Sequence, residues 1–165
     1  MLFKLNRFRV ELVANKDLNE IVDVYNSNKN FLISHMDKEE VTTDWINEEL
    51  NSMKQMGFLC CKIVDINSGK IVGIVDFKVD EQTYLSLLMI HNAYKNKGLG
   101  RLTYNALEKY IVSLKSSCIR IDVVTGYDDS VIEFWHKNGF AEVEQIELNW
   151  TGKVLPAVVM KKKLS

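Results

Sequence analysis

Ile90-His91-Asn92-Ala93-Tyr94-Lys95-Asn96-Lys97-Gly98-Leu99-Gly100-Arg101 joins a strand-like run to a helix-like one. Before it, Thr83 to His91 is apolar on nearly every residue from Tyr84 to Ile90, the pattern of a central strand covered on both faces. After it, Leu99, Leu102, Ala106, Leu107, Tyr110 and Leu114 recur at helical spacing. The first N–H groups of such a helix have no partner within it and lie at the positive end of its dipole, so an anion fits there. Gly98 and Gly100 remove the Cβ atoms that would hold a phosphate off the backbone, and Lys95, Lys97 and Arg101 add charge for more than one phosphate group. The ligand expected from these residues is a pyrophosphate.

Outward from this turn, Cys118 to Val124 is the next strand, and a strand–helix–strand order of this length implies a parallel, right-handed crossover. Ser130 and Glu133 form a capping box for a short helix with Val131, Phe134 and Trp135 on one face, closed by Gly139. Two last strands, Ala141 to Trp150 and Val154 to Lys162, turn at Thr151-Gly152. Toward the N-terminus, Phe8 to Val13 reads as a first strand, and Asp17 with Glu20 as a capping box for a helix burying Leu18, Ile21, Val22 and Tyr25. A loop holding Phe31, His35 and Met36 leads to a second helix with Trp45, Ile46, Leu50, Met53 and Met56 at helical spacing, ended by Gly57. Phe58 to Ile66 and Lys70 to Val79 are joined by Asn67-Ser68-Gly69, a hairpin composition. The expected fold is α/β, one mixed sheet of about seven strands flanked by about four helices, in a single domain over residues 1–165.

Composition sets the outer limits. With 165 residues, 47% hydrophobic, 26% charged, one Pro and eight Gly, the chain is neither disordered nor low in complexity. A net charge of -1 supplies no basic field for nucleic acid or anionic membrane, so neither is expected as a partner. No apolar run approaches the roughly 18 residues of a membrane span. Lys4, Arg7 and Arg9 interrupt the N-terminus where a signal peptide needs an unbroken apolar core, so a cytoplasmic location is expected. Cys60, Cys61 and Cys118 lack the spacing of a zinc site and read as buried, reduced thiols; no metal is expected.

Three phosphate-binding patterns compete for the turn. A P-loop needs Lys and then Ser or Thr directly after its last Gly, and here Arg101-Leu102 follows Gly100. The dinucleotide fingerprint needs a third Gly where Thr103 stands; Asp122 falls about twenty residues on, as a ribose-binding acid should, but inside a strand. The third pattern is that of coenzyme A. Lys95-Asn96-Lys97-Gly98-Leu99-Gly100 resembles the Q/R-x-x-G-x-G/A signature of the GCN5-related N-acetyltransferase superfamily, with Lys95 for the usual Gln or Arg and Asn92 where many members have Pro. Phe134-Trp135-His136-Lys137-Asn138-Gly139-Phe140 is similar to that family's F-Y-E-K-x-G-F helix end, and Val158 to Leu164 to its last strand.

The resemblance implies two parallel strands that splay apart, with the pantetheine arm of acetyl-CoA in the gap beside Met89, Ile90 and His91 and the pyrophosphate on Lys95, Asn96, Lys97, Gly98, Leu99, Gly100 and Arg101. A backbone N–H near Ile90 would hold the thioester oxygen, and a primary amine would attack directly in a ternary complex. Asp128 stands where many members have an arm-binding Asn, and Trp135 where many have the Tyr that protonates the leaving thiolate. Capping a helix is the first expectation for Asp128. An indole is no proton source, so no catalytic residue is assigned. His91, Asp76, Tyr84, Tyr94 and Tyr127 are the candidates for proton transfer, and His35 alone reads as a surface residue. The resemblance puts the acceptor between the first two helices, their loop and the final hairpin, where Asp37, Glu39, Glu40 and Asp44 read first as a solvated face. Acceptors compatible with it are a small polyamine-like or amino-acid-like molecule, an aminoglycoside or a peptide N-terminus, and the width of the cleft beyond Ile90 sets the acyl length. A homodimer is compatible with it too. The competing reading is a non-catalytic acyl-CoA sensor.

Overall fold

The computed structural model describes residues 1–150 and 152–164. In chain order its elements are β1 (Phe3–Leu5), β2 (Phe8–Leu12), α1 (Leu18–Asn26), α2 (Lys29–Met36), α3 (Thr43–Gln55), β3 (Leu59–Asp65), β4 (Ile71–Lys78) and β5 (Gln82–Ile90). Then follow α4 (Leu99–Ser113), β6 (Cys118–Val124), α5 (Asp129–Lys137), β7 (Ala141–Trp150) and β8 (Lys153–Lys163). The strands form one sheet in the order β1-β2-β3-β4-β5-β6-β8-β7. Every pairing is antiparallel except that of β5 with β6.

Helices cover both faces. Ile21, Leu32, Ile46, Leu50 and Met53 from α1 to α3 close one core with Cys60, Ile74 and Met89 of the sheet. Leu99, Tyr104, Leu107, Ile111 and Trp135 from α4 and α5 close the other with Val75, Phe77, Ile119 and Met160. Side chains alternate across a strand, so β4 feeds both cores and is buried at every position except Lys78.

Several local expectations are corrected. Among the described residues there are eight strands, because Phe3 to Leu5 folds back on β2 through Asn6, which takes the left-handed conformation (φ 49°) that Asn tolerates. The expected loop around Phe31 is the helix α2, which buries Leu32, His35 and Met36 at i, i+3 and i+4. The Asp17–Glu20 capping box does not form, since a 3-10 turn over Asn15–Asp17 starts the helical path earlier. Asp17 instead accepts from Ala14 N–H at 2.8 Å and from Lys62 Nζ at 2.7 Å, and Glu20 from Ile71 N–H at 3.0 Å. Burial opposes charge on Asp17, but the Lys62 ammonium and the Ala14 N–H prevail and hold its carboxyl below the ordinary value. At α5 the cap is Asp128, which accepts from Ser130 N–H at 3.0 Å, while Glu133 pairs with Lys137 at 3.5 Å. Cys60 and Cys61 are buried thiols, whereas Cys118 is half-buried. The first residue of the expected Thr151-Gly152 turn lies outside the described residues; Gly152 follows with φ 80°.

The strand expected to be covered on both faces is central but only partly covered. β5 pairs with β6 through Gln82, Thr83 and Tyr84, opposite Cys118, Ile119 and Arg120. Opposite β4 its register shifts at Ser86, where Asp76 faces Leu87 while Phe77 faces Leu85. A bulge of this kind bends and twists its strand. Beyond it β5 parts from β6, leaving Ser86 exposed and Leu87 and Leu88 half-buried along a cleft.

Candidate active site

The parted strands wall a cleft of about 780 Å³, with β5 from Leu85 to Ile90 on one side and Ile121 to Val124 on the other. At one end it reaches the start of α4. Here Asn96 (φ 61°) and Gly98 (φ 79°) both take left-handed conformations, and the first helical bond runs from Leu102 N–H to Gly98 C=O at 3.0 Å. The N–H groups of Leu99, Gly100 and Arg101 therefore have no partner inside the helix. A Cβ at Gly98 would meet nothing within 4 Å, so its backbone angle and the open space before it, not a present contact, favour Gly there.

Ten of the twelve residues expected around the cofactor line this cleft: Met89, Ile90, Lys95, Asn96, Gly98, Leu99, Gly100, Arg101, Asp128 and Trp135. Partial desolvation draws the Lys95 ammonium down, and Asp128 opposes that shift. His91 and Lys97 stand apart. His91 Nδ1 accepts from Ala93 N–H at 3.0 Å, which places the ring proton on Nε2, 2.9 Å from Asp23 Oδ2. His91 is thus a cap and tether between β5 and α1. Lys97 lies over the Tyr94 ring (5.8 Å) beside a smaller hollow that also touches Arg7, Phe8 and Leu102. Trp135 is 7% exposed and packs edge-on against Tyr104 and Phe140 at 5.5 and 5.2 Å, so most of it is core and only part borders the cleft.

Strand geometry orients the backbone at Ile90. His91 N–H donates to Val72 C=O at 2.8 Å, so by alternation the N–H and C=O of Ile90 face the opened edge. The carbonyl is taken by Asn28, whose Nδ2 donates to it at 3.1 Å and to Val24 C=O at 2.9 Å. Gly73 pairs with Ile90 from β4, and a Cβ there would lie 2.8 Å from the Met89 carbonyl oxygen.

The other end of the cleft is built from distant segments. Asp76, 3% exposed, lines it from β4. Burial raises its carboxyl to about 7 and the charge of Glu49 adds to that, while the Cys61 N–H and the Cys60 thiol work the other way. Burial also raises Glu49, against a hydrogen bond from the Trp150 side chain. Around these carboxyls stand Tyr25, Phe31, His35, Tyr127 and Trp150. His35 is a buried residue, 6% exposed, and not the surface residue expected. Its Nδ1 lies 2.9 Å from the Phe31 carbonyl, which can only accept, so Nδ1 carries the proton. Burial pushes its pKa down despite that bond, and Lys153 adds to the effect, leaving a neutral ring.

Among the other proton-transfer candidates, the Tyr84 hydroxyl donates to Asp122 at 3.0 Å and is pushed up by burial and by that carboxylate. Burial and Asp128 raise Tyr127 to about 12. Tyr94 sits edge-on to His91 with its ring centre 6.1 Å away. Glu49, Asn28 and Trp150 were not expected. Glu49 had a signal, since it stands four residues from both Trp45 and Met53, a charge on the apolar face of its helix. Asp37, Glu39, Glu40 and Asp44 are exposed and do not line the cleft; Asp37 pairs with Lys153 at the surface, and the solvated reading holds for the other three.

Comparison with known proteins agrees with this architecture. The acetyltransferase (GNAT) family model matches residues 18–140, and the chain belongs to that family, an enzyme of the N-acetyltransferase class. Its fold is similar to that of an acetyltransferase from Thermus thermophilus (TM-score 0.78, 19% identity, covering 97% of this chain and 99% of that one). It is also similar to a ribosomal-protein-S5-alanine acetyltransferase from Vibrio fischeri (TM-score 0.73, 15% identity, 98% and 95% covered). A third similar structure is an acetyltransferase from Salmonella typhimurium with its cofactor acetyl-CoA (TM-score 0.67, 17% identity, 97% and 95% covered). No curated protein matches the chain by sequence. Among the described residues, no helix is long and apolar enough to cross a membrane.

Proposed function

We propose that the protein transfers an acetyl group from acetyl-CoA to a primary amine by direct attack in a ternary complex. One observation carries this reading: a single cleft runs from the unpaired N–H groups at the start of α4, past the opened edge of β5, to the buried carboxyl of Asp76. The pyrophosphate rests on Gly98 to Arg101 with Lys95 and Asn96 beside it, and the pantetheine arm runs along Met89 and Ile90. A backbone N–H on that opened edge, near Ile90, holds the thioester oxygen and stabilises the charge that develops there on attack. Asn28 fixes the peptide that follows by binding the Ile90 carbonyl.

The amine arrives as an ammonium and is neutralised at Asp76, whose carboxyl near 7 exchanges protons at neutral pH. The nitrogen lone pair attacks the thioester carbon, the tetrahedral adduct gives its second proton to the half-buried carboxylate of Glu49 on the cleft wall, and the C–S bond breaks as the carbonyl re-forms. Tyr127 lines the cleft and keeps its hydroxyl proton, because burial raises it to about 12, so it is assigned as a hydrogen-bond donor that stabilises the leaving thiolate in place of Trp135. Titration of free CoA thiol across an amine panel tests the reading. Amine-dependent release that falls about a hundredfold in Asp76→Asn is expected. CoA binding without any amine-dependent release would favour the sensor.

A further inference from the structure

Resting on the transferase reading, we infer that the acceptor is an arylalkylamine, a primary amine on a short apolar linker that ends in a flat aromatic ring. The far end of the cleft is walled by aromatic rings drawn from three separate parts of the chain: Phe31 and His35 from α2, Tyr127 from the segment before α5, and Trp150 from the end of β7. Phe31 and His35 stack at 3.9 Å with their planes 23° apart. Trp150 stands edge-on to both, at 5.9 and 5.7 Å, and Tyr127 edge-on to His35 at 5.1 Å. A ligand ring entering this corner meets faces and edges in the offset and T-shaped arrangements that aromatic pairs favour.

Charge is distributed to match such a molecule. The carboxyls of Glu49 and Asp76 stand where the amine must react, and Trp150 links wall to carboxyl through its hydrogen bond to Glu49. Farther out the charges cancel: Lys153 Nζ lies 2.6 Å from Asp37 Oδ1. His35, the most buried of the four rings, is neutral. A polyamine needs a second free anion a chain's length from the first, and Asp37, the acid beside this corner, is already paired. An aminoglycoside needs many hydrogen-bonding partners where these rings stand. A flat apolar body with one ammonium satisfies both ends.

The test compares 2-phenylethylamine, n-butylamine and spermidine as acceptors with acetyl-CoA, read by thiol release. It is paired with calorimetry of 2-phenylethylamine binding to the CoA-loaded protein. The expected result is a kcat/KM for 2-phenylethylamine at least tenfold above that of the other two. Phe31→Ala should raise its KM about tenfold with little change in kcat, and should affect n-butylamine less. Phe31→Leu, which keeps the bulk without the ring, should move KM the same way. Turnover of spermidine or n-butylamine as good as that of 2-phenylethylamine would overturn the inference and leave the transferase standing. Binding of 2-phenylethylamine with no release from any amine would sink the transferase and keep the aromatic site. Absence of both binding and release with 2-phenylethylamine would overturn the inference.

Discussion

At one end of the cleft the lining residues are near neighbours in the chain, Lys95, Asn96 and Gly98 to Arg101; at the other, Asp76, Glu49, His35, Tyr127 and Trp150 come from five separate segments. The first end works through backbone N–H groups, which any sequence able to make the turn presents alike. The second works through side chains whose chemistry depends on what buries them. Asp76 titrates near 7 because β4 is covered on both faces. A cofactor shared by many proteins can be met by local backbone geometry, whereas an acceptor particular to one protein calls for a pocket assembled from distant parts.

The largest effect is expected where the local end is broken. Gly98→Glu puts a carboxylate and a Cβ into the space before α4, and loss of CoA affinity by roughly a thousandfold should be seen by calorimetry, since repulsion and exclusion act together. Gly98 has φ 79°, so this variant should also lose about 1–2 kcal/mol of stability. Gly98→Ala separates the two: it bears the backbone cost without the charge and should keep far more of the affinity. Equal CoA binding by Gly98→Glu and the parent would remove the phosphate from this turn.

Asp76→Asn addresses the assembled end. Turnover should fall about a hundredfold with CoA affinity unchanged, the reverse of the pattern at Gly98. The same variant carries a stability test with a definite sign. A carboxyl whose pKa is higher folded than unfolded holds its proton more tightly in the native state, so its contribution to stability is present below pH 4 and lost as pH rises toward about 7. Above pH 7, Asp76→Asn should therefore be more stable than the parent, by on the order of 1–3 kcal/mol in urea titrations, with the gap closing toward pH 4. A constant gap across that range would mean that Asp76 does not titrate as its burial dictates.

These two ends also differ in how far the chain alone reveals them. The turn from Ile90 to Arg101 is legible because glycines, cations and the change of period are adjacent in sequence. Ten of the twelve residues named from that turn and from the family resemblance line the cleft. His91 and Lys97 do not, because side-chain direction at a strand exit follows from local partners, here Asp23 and Tyr94. α2 is hard to read from the chain because its eight residues give one short apolar stripe, and the burial of His35 depends on that helix. Asp17 looked like a cap until Lys62, distant in sequence, is seen to hold it. The bulge at Ser86, which helps open the cleft, is marked only by one polar residue in an apolar run, a mark that does not distinguish a bulge from a solvent-facing strand position.

Between the ends, Gly73→Ala tests whether the strand they share is as tightly set as its contacts imply. The added methyl would lie 2.8 Å from the Met89 carbonyl oxygen and 2.8 Å from Ile63 Cδ1; the side chain can move, but the backbone oxygen belongs to β5. A loss of about 2 kcal/mol in chemical denaturation is expected. Any shift of Ile90 should appear as reduced kcat with CoA binding retained. Unchanged stability would mean that β4 and β5 yield freely at this point.

Asp128→Ala gives the smallest effect and decides between a structural and a cofactor-holding role for a residue at the boundary of the two ends. Asp128 Oδ1 accepts from Ser130 N–H at 3.0 Å and Ser130 Oγ–H at 2.6 Å, so removing it should cost about 1 kcal/mol of stability, as for a lost helix cap. Asp128→Asn, which keeps an accepting oxygen, should recover most of that. It also stands opposite Lys95, whose ammonium it favours, so both variants should weaken CoA binding no more than a few fold if Lys95 is only supported and not positioned by it. A loss of affinity as large as that of Gly98→Glu, with stability intact, would move Asp128 from helix cap to direct ligand of the pantetheine arm.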